Sequence, residues 1–138
     1  MVKSKGKDVF IMRLDMDCVR NVLLALEKLT NVDENHLHQR ITTEDVFTEV
    51  PNFDEKEIYH TLYTLYQANY IEADKIDFCG GSDLIIEAIT WPGYELLNNL
   101  RSEQIWKSVK QKIQPLGTVS INVLSQLATK VVSDFLGI

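Results

Sequence analysis

FDEKEIYHTLYTLYQANYI, residues 53–71, carries a helix signal and a strand signal back to back. Asp54 followed by Glu57 has the spacing of a capping box, in which each side chain answers a backbone N–H of the first turn. Ile58, Leu62 and Leu65 then recur at helical spacing and make one apolar stripe for a core. Beyond the helix, Ile71 to Phe78 is β-rich, Gly80-Gly81-Ser82-Asp83 is a turn, and LIIEAIT is a second β-rich run. Ile71 and Ala73 fall on one parity and Ile76 and Phe78 on the other, so a bulge near Lys75 is expected.

Upstream, Asp15 can cap a first helix whose apolar face is Met16, Val19, Leu23 and Leu26 with Ala25 or Leu29. Polar turn formers follow from Thr30 to Asn35, and His38 to Thr42 reads as a short strand or an extended lead-in. Thr42 or Thr43 can cap a short second helix, which Pro51 stops because it lacks a donor and disfavours helix before it. Downstream, Thr90 can cap a helix that tolerates Pro92 in its first turn, and Gly93 lets that helix pass close to the hairpin. Its apolar pattern runs to about Gln114, with a break allowed near Ser102, and Pro115-Leu116-Gly117 ends it. Thr118 or Ser120 then caps a last helix. Helix, turn, helix, hairpin is the order of a winged helix-turn-helix. The fold class expected is mainly α with a β-hairpin (α+β), with two additional C-terminal helices. The expected divisions are a flexible basic arm over 1–12, a winged-helix core over 13–92, and C-terminal helices over 93–138 packed on the core or forming a dimer contact.

A chain of 138 residues with 45% hydrophobic and 25% charged content fits one globular domain that needs no metal or disulfide to hold it. The two cysteines, Cys18 and Cys79, read as ordinary thiols of a cytoplasmic protein. No apolar run approaches the about 18–20 residues that span a bilayer, so no membrane partner is expected. MVKSKGKDVF is basic but lacks the apolar run of a secretion signal, and Lys3, Lys5 and Lys7 read as a solubilising arm.

Net charge is −6, against the basic footprint of a nucleic-acid binder. Its distribution is sharper than its sum. Between Thr43 and Glu87 eleven carboxylates face two lysines, Lys56 and Lys75, a balance of −9 in the segment that would meet DNA. On the central helix the polar face is Lys56, His60, Thr64 and Gln67, the candidate DNA-reading residues. Asp54, Glu55 and Glu57 crowd the same end, where they would repel the phosphates that a helix N-terminus otherwise attracts. A solvated face is therefore preferred. Tyr59, Tyr63, Tyr66 and Tyr70 form a second band, with core packing preferred to a recognition surface.

Arg101, Lys107, Lys110 and Lys112 against Glu103 make the one basic region after the tail. It is a solvated helix face by default that could also hold an acidic partner such as the −9 segment of a second copy. The last helix has an apolar face broader than a surface helix needs, and Leu124, Leu127, Val131 and Phe135 are its candidate interaction face. That face is covered either by the chain's own core or by a second copy.

No phosphate-binding glycine loop, nucleophile elbow or H-E-x-x-H zinc motif occurs. His36 and His38 alone do not make a zinc site. No catalytic residue, metal ligand or cofactor is assigned, and no enzyme is expected.

The runs RLDMDCVRNVLLALE, IYHTLYTLYQANYIEA, ITWPGYELLNNLRSEQIWKSVKQKI and VSINVLSQLATKVV together resemble a family of small uncharacterised proteins of bacteria, phages and prophages. That family is a domain of unknown function similar to the YjcQ-like winged-helix proteins. The match runs from about Arg13 and is most specific at Met16-Asp17, at Tyr70-Ile71-Glu72-Ala73, and at Thr90-Trp91 with Gly93. The resemblance implies a winged-helix fold and a mobile-element origin, and it carries over no functional residues. The resulting expectation is a non-enzymatic protein-interaction module, with a protein partner or a second copy of itself. The alternative is a DNA-binding transcriptional regulator.

Overall fold

A computed structural model describes residues 13–30 and 40–138. The chain forms α1 (Met16–Leu29), β1 (Ile41–Thr42), α2 (Thr43–Glu49), α3 (Glu55–Gln67), β2 (Ile71–Phe78), β3 (Gly81–Ile89), α4 (Trp91–Leu100), α5 (Glu103–Ile113) and α6 (Ile121–Leu136), with a 3-10 turn at Gln114–Leu116. It is mainly helical, with one small antiparallel sheet of order β1-β3-β2. The 1–12 arm, the His36 and His38 pair, and most of the lead-in to β1 lie outside the described residues.

Helix starts follow from side chains that answer orphan N–H groups. Asp15 accepts from the amides of Asp17 and Cys18 at 2.9 and 3.2 Å. Thr90, Ser102 and Ser120 do the same for α4, α5 and α6. The reciprocal capping box sits on α2, between Thr42 and Asp45, where a hydroxyl faces a carboxylate. Asp54 is the N-cap of α3 but makes no side-chain cap bond, which corrects the box expected there. An Asp54–Glu57 box would bring two carboxylates together, and their repulsion opposes it.

Three helices follow the hairpin rather than two. Ser102 takes an extended conformation after Leu100 and Arg101 and restarts the helix as α5. The bulge also moves. The β2–β3 register steps between Glu72 and Ala73, pairing them with Ala88 and Ile86 and passing over Glu87. Ile76 and Phe78 break the parity of β2 because both are exposed, not because the strand bulges at Lys75.

One hydrophobic cluster runs from α1 through the hairpin to α6, with Leu23, Leu62, Leu84, Leu97 and Leu124 fully buried in it. Burying each such side chain contributes about 1.5–3 kcal/mol. Gly93 sits where α4 crosses the base of the hairpin. A β-carbon there would collide with the carbonyl of Tyr70 and the side chain of Ile89. Polar clamps close the back of the molecule. Arg20 donates to the carbonyls of Leu100 and Arg101 at 2.7 and 2.9 Å. Arg101 grips Glu27 through two bonds of 2.7 Å, and the Trp106 indole donates to Asp17 at 3.0 Å.

Candidate interaction site

α2 and α3 pack on α1 by their aliphatic sides, which leaves Phe47 of α2 and the tyrosines of α3 half-buried beside the core. Tyr59 and Tyr63 stack with centroids 6.3 Å apart and planes 10° from parallel, and Tyr66 continues the row at 6.0 Å. Tyr70 leaves the row to be buried, its hydroxyl donating to Asn122 at 3.3 Å.

The hairpin tip closes over the first part of this row. The Tyr59 hydroxyl lies 3.4 Å from Ser82 Oγ. The Thr43 hydroxyl donates to Asp83 at 3.0 Å, tying α2 to β3, and the Leu84 amide donates to the same oxygen at 2.8 Å. Phe78, 59% exposed, ends β2 at the mouth. Between α2, α3 and the tip lies a groove of about 690 Å³ whose aromatic walls are Phe47, Tyr59, Tyr63 and Phe78. Glu44, Glu55 and Asp83 line it too, and among the described residues Lys56 is its one lysine or arginine.

The sheet's outer acids have another cation. Arg40 reaches Asp74 at 2.5 Å and Glu87 at 2.7 Å, bridging β2 and β3 from the start of β1. It lies three residues before the acidic segment, so a balance counted from Thr43 omits it. Lys75 pairs with Asp77 at 3.8 Å and stands 5.8 Å over the Tyr63 ring.

The four proposed base-reading residues do not form one accessible row. Lys56 and His60 line the groove, His60 half-buried. The Thr64 hydroxyl donates to the His60 carbonyl at 2.8 Å, and Gln67 is exposed at the far end of α3. On α6, Leu124 and Val131 are buried in the chain's own core, so they offer nothing to a partner. Leu127 is half-buried and Phe135 is 60% exposed. The accessible apolar end of α6 is therefore Phe135 with Leu136 and Ile138. The groove's Phe47 and Phe78 were missed by sequence reasoning. The Gly80-Gly81 turn could have flagged Phe78 as a tip residue; Phe47 had no comparable signal.

A larger hollow of about 910 Å³ lies at the start of α1, between Arg13, Asp17, Asp54, Glu57, Lys107 and Lys110. Opposite charges meet in it, and Asp17 is held by Trp106 and Lys110. Among the described residues, no group of three or more His, Cys, Asp and Glu side chains could hold a metal ion, and no helix is long and apolar enough to cross a membrane.

The family model described as "Hypothetical protein (DUF2513)" matches residues 13–120. The chain belongs to the DUF2513 family. A relative, an uncharacterised protein of Haemophilus influenzae, is 29% identical over 126 residues, covering 91% of this chain and 99% of the relative. The family match begins at Arg13 and so takes in α1, the whole groove and α5. No solved structure matches the chain.

Proposed function

We propose that the chain is a non-catalytic protein-interaction module of winged-helix form, in which α2 and α3 are the helix-turn-helix pair and the β2–β3 hairpin is the wing. On its resemblance to YjcQ-like proteins, it is a product of phages or prophages. Both cysteines are free, which suits the reducing cytoplasm. The observation that carries the reading is the chemistry of the face made by α3 and the hairpin. A winged helix that binds DNA needs lysines and arginines there to displace counterions from phosphate. Here Glu44, Glu55 and Asp83 outnumber Lys56 in the lining of an aromatic groove.

A DNA-binding regulator is the second reading, and the exposed Lys56 and Gln67 on α3 favour it. Electrophoretic shift of a labelled random-sequence duplex at low salt separates the two. The interaction module gives no shift. A shift that weakens steeply as salt rises replaces it with the regulator. The partner is another protein or a second copy. Analytical ultracentrifugation over a range of concentrations decides between them: a mass that rises with concentration, and stops rising in Phe135→Ser, makes the partner a second copy.

A further inference from the structure

The aromatic groove is more specific than an acidic surface. Its walls are four ring systems, two of them the stacked pair Tyr59 and Tyr63, and Glu44 and Glu55 are exposed at its rim. Ring faces attract cations through their quadrupole, and carboxylates beside them add a long-range pull. The molecule already uses one of these rings in that way, since the Lys75 ammonium sits over Tyr63. An apolar partner alone would desolvate the Glu44 and Glu55 carboxylates at the rim and give them no new bond in return. An anionic partner would meet Glu44, Glu55 and Asp83 with like charge.

We propose that the groove between α2, α3 and the hairpin tip docks a basic segment of a protein partner, with an arginine side chain entering among Phe47, Tyr59, Tyr63 and Phe78. A guanidinium suits this place better than an ammonium. Its flat face stacks on rings and its edge donates two parallel bonds to a carboxylate. The proposal rests on the acidic face being the interaction face, and it adds the chemistry of what binds there.

The test uses fluorescein-labelled hexa-arginine, hexa-lysine and hexa-glutamate, read by fluorescence polarisation against the full chain at about 0.15 M salt. Hexa-arginine binds more tightly than hexa-lysine, and hexa-glutamate does not bind. Phe78→Ala and Tyr59→Ala each weaken hexa-arginine by about tenfold, the size expected when one desolvated cation–π contact is lost. Trp91→Ala, which removes an aromatic that is 78% exposed but outside the groove, leaves binding unchanged. Circular dichroism confirms that each variant is folded, and Phe78 is exposed enough for its loss to be tolerated.

Hexa-arginine affinity that ignores Phe78→Ala and Tyr59→Ala but collapses in Glu44→Lys with Glu55→Lys overturns the groove and leaves the acidic face standing. Affinity indifferent to all four substitutions overturns both. Equal affinity for hexa-lysine and hexa-arginine overturns the arginine assignment. A labelled duplex that itself binds the chain, and loses that binding in Tyr59→Ala and Phe78→Ala, overturns the protein partner in favour of nucleic acid.

Discussion

The back of the molecule and the groove between α2, α3 and the hairpin tip use their carboxylates differently. At the back, α1, α4 and α5 are joined by long-range pairs: Arg101 with Glu27, Arg20 with Glu103 at 3.3 Å, and Lys110 with Asp17 at 3.3 Å. The rings there are also engaged. Trp106 is buried, with Arg20 and Lys110 each within 6 Å of its ring. On the face, aromatic side chains stay half-buried or exposed and carboxylates gather round them. The back carries the architecture, and the face carries the groove proposed to dock a basic segment.

Substitutions can break or sharpen that contrast. Leu124→Ala should cost most, about 2–5 kcal/mol, because it leaves a cavity in the shared core, whereas Phe135→Ala on the same helix should change little. Urea titration of both variants is the check, and equal effects would make the two ends of α6 alike. Gly93→Ala should cost about 1–3 kcal/mol, since the added methyl meets the Tyr70 carbonyl and forces α4 off the hairpin base. Its thermal midpoint should fall well below that of the parent.

Glu27→Gln comes next, at up to about 1 kcal/mol for a pair this exposed. The Arg101 hydrogen bonds hold the Glu27 carboxyl below its usual range. The pair's contribution is therefore complete above the unfolded carboxyl's pKa, near 4.5, and is lost as pH falls through the lower folded value. Stability of parent and variant should converge in acid, and a gap that persists there would remove the ion pair as its cause. Phe78→Ala should move stability least, within about 0.5 kcal/mol by urea titration, while still weakening the arginine peptide. A large loss of stability would make Phe78 part of the architecture and erase the contrast.

Periodicity and capping chemistry are local, and they made most elements readable. Asp15, Thr90 and Ser120 cap the helices expected of them, and Ile58, Leu62 and Leu65 are buried together. Gly93 was readable for its close approach because a glycine in a first turn beside a strand has few other uses. Distances across the chain were not readable. Arg40 folds over a sheet whose acids lie 34 and 47 positions away, so no window of sequence shows the two bonds together. The breadth of α6 signalled an unmet need for cover, but not that α4 and α5 would supply it to Leu124 and Val131. The groove was hidden for the same reason, since Phe47 and Phe78 meet the α3 tyrosines only once the hairpin has folded back.

Cys18 lies in the seam between α1 and α3, where the Thr61 hydroxyl donates to its sulfur at 3.3 Å. Burial pushes its thiol up to about 11, so it is both shielded and protonated at neutral pH. Cys79 beside the hairpin turn is exposed. A thiol reagent therefore finds one sulfur at once and the other only when the two helices part. The slower modification clocks how often that seam breathes, and the faster one calibrates the reagent within the same molecule.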